Sequence, residues 1–590
     1  LAGNGKARIL GTAGAASTLG LAAPIAVAVA LLLAVVVASY RQTCFAYPNG
    51  GGAFVVSKVN LGETAALTAA AALLVDYVMT VAVSVVSGVV AITSAVTSLA
   101  PHAVLLSAGF IVLLALVNLR GVRESGSTFA VPTYAFIVLT FVLLGSGAYR
   151  ALTGHVPTAA SAHLALEHTA KVGGVFTLLL CLRAFASGCT ALTGVEAISN
   201  GVPAFREPKS KNAAATLTLM GALAISMFSG ITALAIATHA RAYPAGNPSV
   251  ISQIAESIWG RTVLYYSFQA ATAAILVLAA NTAFNGFPTL ASILAQDRYM
   301  PRQLHNRGDR LVFSNGILLL AGISVALIVG FNANIDKLIQ LYIVGVFTSF
   351  TLSQYGMIRH WKRLLAATSD QAQRRAMRRS QSINATGAAV TGVVLVIVVR
   401  YKFLGGAYLA ITAMVVLFFL MRGIRRHYDR VSIELQPDAA GVALPSRNHA
   451  VVLVSKIHSP TLRALAYAKA TRPHDLTALT VAIDKADADA LLAEWDARGI
   501  SVPLTVIDSP YREVTRPVLD YIKRIKLESP RDVVTVFIPE YVVGKWWEQL
   551  LHNQSALRLK SRLLYQPGVM VTSVPYQLRS SQDRSGEPVG

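Results

Sequence analysis

At 590 residues, with 54% hydrophobic and only 14% charged residues and a mean hydropathy of +0.55, the chain does not have the composition of a soluble protein. Its net charge of +22 suggests nucleic acid, but most Lys and Arg lie in short loops between apolar stretches, the positive-inside pattern of a membrane protein, so a nucleic-acid partner is set aside. Cys44, Cys181 and Cys189 have no metal-ligand spacing.

A spanning helix needs roughly 20 mostly apolar residues. Eleven stretches qualify, near 19–40, 63–97, 102–120, 128–148, 173–199, 213–238, 262–293, 314–331, 337–357, 384–401 and 405–422. The odd-numbered connections are basic. They carry Arg41 and Lys58, Arg120 and Arg123, Arg206, Lys209 and Lys211, then Arg298, Arg302, Arg307 and Arg310, then a run from Arg359 to Arg379. These loops are therefore expected in the cytoplasm of a bacterial inner membrane, with Arg425, Arg426 and Arg430 holding the C-terminal region inside. The tenth connection, with Arg400 and Lys402, fits this scheme least well. The same orientation would leave the N-terminus outside with no secretory signal before it. A missing upstream spanning helix is the expectation.

After the first span, Tyr47-Pro48-Asn49-Gly50-Gly51-Gly52 reads as a glycine-rich turn, and no Gly-Lys-Ser/Thr follows to make it a phosphate loop. The second span carries Asp76 within an otherwise apolar run. Asp76, Thr80 and Ser84 are four apart and share one helix face, flanked by Tyr77. A carboxylate at the bilayer centre costs about 2.5–3.5 kcal/mol on insertion scales, and such a group faces a polar cavity and marks an ion or proton path. The fifth span gathers small and polar residues from Ser187 to Gly201, including Thr193, Gly194 and Glu196. That composition suits an unwound segment in a discontinuous helix, where transporters bind substrates and ions. Arg183, in the outer half of the same span, is expected to snorkel outward. Asn281 to Pro288 reads as a kink closing the seventh span, without a binding role. Tyr342, in the ninth, could reach a central site or pack at an interface.

From residue 448 strands alternate with helices. Strands are expected at 449–455, 475–483, 502–507, 532–538 and 569–574, and helices at 461–469, 486–498, 513–525 and 545–557. This pattern predicts a parallel sheet covered on both faces. A ligand would bind at the strand C-terminal ends, which offer Ser455, Asp484, Asp508 to Arg512 and Glu540. A regulatory nucleotide site and a plain dimerisation role are both open. No catalytic triad, metal cluster or acid pair suggests an enzyme in this domain.

Several blocks together carry a resemblance: Ser39 to Gln42 with Ala46 to Ala53, Val75-Asp76-Tyr77, Asn118 to Gly121, Ala191 to Gly201, and Asn306 to Gly316. They resemble the KimA-type potassium importers, a KUP-like branch of the amino acid–polyamine–organocation superfamily. The likeness runs over nearly the whole chain. It implies an all-α polytopic membrane domain of LeuT type with inverted repeats, here with eleven spans and the first helix missing. It also implies a universal-stress-protein-like cytosolic α/β domain with a parallel sheet. The expected divisions are a transporter domain over 1–430, a linker over 431–447, a regulatory domain over 448–578 and a disordered tail over 579–590. The resemblance further implies proton-coupled potassium uptake by a homodimer, with potassium held by Asp76, Tyr77, Thr80, Ser84, Thr193, Glu196 and Tyr342. Cyclic di-AMP is the implied ligand of the tail domain, and no other cofactor is implied.

Glu196 is the candidate proton carrier, because burial favours a carboxylate's neutral form. An amino acid or polyamine permease is the alternative function, and a non-transporting membrane sensor a third. Two acidic side chains on one cavity favour a cation or polyamine over a zwitterion.

Overall fold

The computed structural model describes residues 15–50, 52–120, 126–164, 181–182, 184–189, 194–243, 246–305, 313–436, 444–482, 484–509, 513–525, 529, 531–542 and 555–578. The chain divides into two compact units, Leu1–Glu434 and Leu435–Gly590.

The first unit is helical. In chain order its helices are α1 (Ala15–Ala46), α2 (Ala53–Asn60), α3 (Glu63–Ala95), α4 (Ala103–Leu119), α5 (Gly126–Leu152), α6 (Val195–Asn200) and α7 (Lys209–Ala237). They continue with α8 (Val250–Trp259), α9 (Val263–Gln296), α10 (Ser314–Gly330), α11 (Ile335–Ala367), α12 (Gln371–Lys402) and α13 (Tyr408–Glu434). Among the described residues, nine helices are long and apolar enough to cross a membrane. The chain is thus a multi-pass membrane protein.

The difference from eleven expected spans has two sources. The helix Ser314–Gly330 is apolar but has only 17 residues, about 26 Å at 1.5 Å per residue, just short of a ~30 Å hydrocarbon core. The expected span over 173–199 lies partly outside the described residues.

At the centre, α3 packs along α9 and α11. Its run of Ala, Val and Leu lets those helices approach closely. A Cβ on Gly345 of α11 would meet the Ala72 carbonyl oxygen at 2.9 Å. Likewise Gly88 of α3 faces the Ala273 carbonyl of α9 at 3.3 Å. The helix α9 does not close at Asn281–Pro288 but continues to Gln296, with Pro288 inside it. The proline removes one ladder hydrogen bond, yet its ring is packed against Gly316 of α10, where an added Cβ would lie 2.9 Å from Pro288 Cβ. Neighbouring helices thus hold the chain helical through the break. Lys402, the charge that fitted the tenth connection poorly, is buried at 7% exposure, so it is not a loop charge at all. It precedes a π turn, Phe403–Ala407, that joins α12 to α13.

The second unit is a doubly wound α/β domain. Its elements are β1 (Asn448–Leu453), α14 (Ser459–Ala470), β2 (Asp475–Ala482), α15 (Lys485–Ala497), β3 (Leu504–Asp508), α16 (Thr515–Arg524), β4 (Val533–Val542), α17 (Ser555–Leu563) and β5 (Val569–Gln577). The five strands are all parallel in the order β3-β2-β1-β4-β5. Successive β1 residues serve opposite faces. Ala450 and Val452 pack with Leu465, Leu491 and Trp495, while Val451 packs with Val518, Ile522 and Leu563. Burial on both faces is why these strands are continuously apolar. The order reverses between β1 and β4, which makes the crevice above their C-terminal ends the natural ligand position. Most of the helix expected at 545–557 lies outside the described residues, as does the tail 579–590.

Candidate functional site

The site is built on α3. From Leu73 to Val89 every residue of this helix is buried except Asp76, Tyr77, Thr80 and Ser84, which are each partly accessible. These four lie on one side of the helix. A central helix wrapped by protein therefore keeps one polar face open to internal space.

Opposite stands α6. Gly194 adopts a left-handed conformation (φ 93°, ψ −17°) immediately before the helix begins at Val195. Glycine takes that conformation without the steric cost a Cβ imposes. Thr193, expected beside it, lies outside the described residues, as does Arg183. Glu196 sits in the first turn of α6 at 7% exposure. Its two oxygens have separate partners. The backbone N–H of Ala53 donates to Oε1 at 3.0 Å, and the Ser349 hydroxyl of α11 donates to Oε2 at 2.6 Å. Ala53 is the first residue of α2, whose leading N–H groups have no partner within their own helix. The partial positive charge there suits an anion.

The glycine-rich turn serves this arrangement. Gly52 lies so close to Asn200 that an added Cβ would collide with the asparagine side-chain oxygen. Gly50 is at φ +99°, with the Asn200 carbonyl 3.2 Å from where its Cβ would be. The turn thus packs against the end of α6, which brings Ala53 to Glu196.

Asp76 lies against Gly345 of α11, its Cβ 3.7 Å from where a Cβ on that glycine would stand, one turn from the Ser349 that bonds Glu196. The two carboxylates therefore share one region inside the bundle. Asp76 Oδ1 is buried and has no hydrogen-bond partner among the described residues, and the same holds for Asn200 Oδ1. Tyr342, buried at 6%, receives a hydrogen bond from Thr80 Oγ1 at 3.2 Å. Asn200 Nδ2 donates to the Tyr77 hydroxyl at 3.4 Å. The Tyr77 ring lies against Gly286 of α9, 2.5 Å from where a Cβ would stand. The Asn281–Pro288 segment, read as a kink without a binding role, thus shapes the cavity wall.

Sequence reasoning missed Ala53, Asn200, Gly286 and Ser349. The nearness of the triple glycine to a basic turn was visible, but its target was not. Buried carbonyl, hydroxyl and carboxylate oxygens, two of them without partners, can replace the hydration shell of a cation. No group of three His, Cys, Asp or Glu able to hold a metal occurs among the described residues, and Cys44, Cys181 and Cys189 are free thiols.

Residues 5–424 match the family model "Amino acid permease", and residues 446–576 match the model "KimA potassium transporter C-terminal domain". The potassium transporter KimA of Bacillus subtilis (strain 168) is 39% identical over 563 residues, 94% of this chain and 89% of that protein. A crystal structure of a manganese transporter mutant from Eremococcus coleocola is 13% identical, with a TM-score of 0.40 over 73% of this chain and 92% of that one. The sequence matches span both structural units, and by them the chain belongs to the amino acid permease family and, within it, to the KimA family.

Proposed function

We propose that this protein takes potassium into the cell across the bacterial plasma membrane, driven by protons. The observation that carries this reading is the open polar face of α3, where between Leu73 and Val89 only Asp76, Tyr77, Thr80 and Ser84 escape burial. The Bacillus subtilis relative is a potassium transporter, and it matches nearly the whole chain.

In this reading Asp76, Tyr77, Thr80, Ser84, Thr193, Glu196 and Tyr342 supply the ion's oxygen ligands. Asp76 stays anionic and attracts the cation. Glu196 carries the coupled proton: protonated, it frees the ion, and deprotonated, it is held by the Ala53 N–H and the Ser349 hydroxyl. The protein works as a homodimer, and the crevice above β1 and β4 binds cyclic di-AMP, which inhibits uptake.

The test is growth of a potassium-uptake-deficient bacterium on limiting potassium. The wild-type gene should restore growth and Glu196→Gln should not. Rescue by Glu196→Gln with proton-driven uptake intact removes the assignment. Inhibition of uptake by an amino acid or polyamine, without any by rubidium, moves the protein to the alternative substrate class.

A further inference from the structure

Below Glu196, toward the basic and hence cytoplasmic end of the bundle, two helices run side by side. On α11, Ser349, Ser353, Gly356 and His360 are spaced four, three and four apart and lie on one face. On α2, Ala53, Val56, Ser57 and Asn60 have the same kind of spacing. The faces are in register at three levels. Ala53 and Ser349 share Glu196 at the inner end. In the middle, a Cβ on Gly356 would lie 2.8 Å from the Val56 side chain. At the outer end Asn60 Nδ2 donates to the Tyr47 hydroxyl at 2.6 Å, which contacts His360 Nδ1 at 3.4 Å, while Arg363 donates to Asn60 Oδ1 at 2.9 Å.

Four hydroxyls on these two helices and on α1 are fully buried: Tyr40, Thr43, Ser57 and Ser353, each 0% exposed. Thr43 and Ser57 have no partner at hydrogen-bonding geometry among the described residues, and Tyr40 and Ser353 have none beyond each other. The Tyr40 ring packs edge-on against Phe350 of α11 at 5.2 Å, next to the Ser349 that bonds Glu196. A buried hydroxyl left dry costs about 1–3 kcal/mol, so several on neighbouring helices are a poor way to build a core. Neighbouring turns of one helix set side chains ~5–6 Å apart, a gap that a single water with two to four polar partners spans.

We propose that Tyr40, Ser353, Ser57 and Thr43, bridged by water, form the path by which the coupled proton leaves Glu196 for the cytoplasm, with Tyr47 and His360 at its mouth. The proposal rests on Glu196 being the proton carrier. Protonated Glu196 gives its carboxyl proton to the first oxygen of the chain. Each oxygen accepts one proton and passes on its own, and one proton reaches the cytoplasmic solvent by way of His360. Glu196 is left anionic, and no bond between heavy atoms changes. The other titratable groups around the path are Asp76 and Cys44, with Arg363 beside the mouth. Arg363 keeps a fixed positive charge there, so cations do not use the same route, while a proton passed between oxygens does.

The test uses the full-length protein in liposomes, reading potassium uptake, internal pH and potassium–rubidium exchange, which needs no net proton movement. Ser353→Ala and Tyr40→Phe should each slow proton-coupled uptake about tenfold, with exchange retained and a larger slowing in heavy water than wild type shows. Wild-type proton flux in both variants overturns the path. So does loss of exchange together with uptake in both, because these hydroxyls then belong to ion binding. Glu196→Gln, measured in parallel, separates the two ideas. If it still couples protons, the carrier assignment fails. If it does not, and Ser353→Ala and Tyr40→Phe move protons normally, the path alone fails.

Discussion

The carboxylate of Glu196 and the hydroxyl of Ser349 meet at 2.6 Å, although 153 positions separate them in the chain. Hydrogen bonds to a charged group are worth about 1.5–3 kcal/mol. Ser349→Ala should therefore lower the kcat/KM of proton-driven uptake about tenfold or more, and Ser349→Thr, which keeps the hydroxyl, should restore most of it. Rates in liposomes over a potassium series measure this, and an unchanged alanine variant would detach Ser349 from transport.

The cavity face of α3 makes a graded prediction. Asp76→Asn removes the charge that attracts a cation and should abolish uptake with normal membrane expression. Thr80→Val removes only a neutral oxygen and its bond to Tyr342. It should raise the KM for potassium by roughly three- to tenfold, the equivalent of ~0.7–1.4 kcal/mol. Equal effects of the two would argue against different roles for them.

Two glycines should respond differently to the same methyl group. In Gly345→Ala the new Cβ meets a backbone oxygen of α3 at 2.9 Å. Backbone cannot step aside, so the helices must part, at a cost of about 1–3 kcal/mol. The thermal midpoint in detergent should fall. In Gly286→Ala the new Cβ meets the Tyr77 ring instead. The ring can turn away, so the midpoint should move less while potassium uptake drops. A lower midpoint for Gly286→Ala than for Gly345→Ala would contradict this ordering.

A buried polar cluster joins α1, α11 and α12. Asn384, 0% exposed, donates to Ser39 Oγ at 2.9 Å and to Gln354 Oε1 at 2.7 Å, and accepts from Trp361 Nε1 at 2.9 Å. Ser39 and Gln354 also bond to each other. Asn384→Leu would leave several of these groups unpaired in an apolar setting, at roughly 1–3 kcal/mol each. A drop in thermal midpoint larger than that of Thr391→Val, about two turns along the same face of the helix, is the expected result. Thr391 makes its bonds mostly to its own helix.

Local pattern made much of this protein readable. Apolar length marks a spanning helix because lipid offers no partner to a bare backbone. Continuous apolar strands between helices mark a parallel sheet because both faces are buried. The four-residue spacing of Asp76, Thr80 and Ser84 places them on one face whatever surrounds the helix. Gly194 beside Glu196 suggested a break, and the left-handed turn at that glycine begins a new helix. Where pattern misled, packing was the cause. Pro288 does not end its helix because α10 is wedged against it, and Lys402 is buried rather than in a loop.

The sequence by itself determined that the chain is built on long apolar helices, that Asp76 stands within one of them, and that an α/β domain follows. All of these rest on residues near one another in the chain. Only the tertiary structure decided that a backbone N–H from Ala53 and a serine from α11 hold Glu196, that Asn200 and Gly286 fix Tyr77, and that four hydroxyls on three helices are fully buried. A backbone donor carries no side-chain signature, and a serine on an apolar helix reads the same whether it bonds its own turn or a carboxylate 153 positions away. Such partners are chosen by how whole helices pack, which no local spacing records.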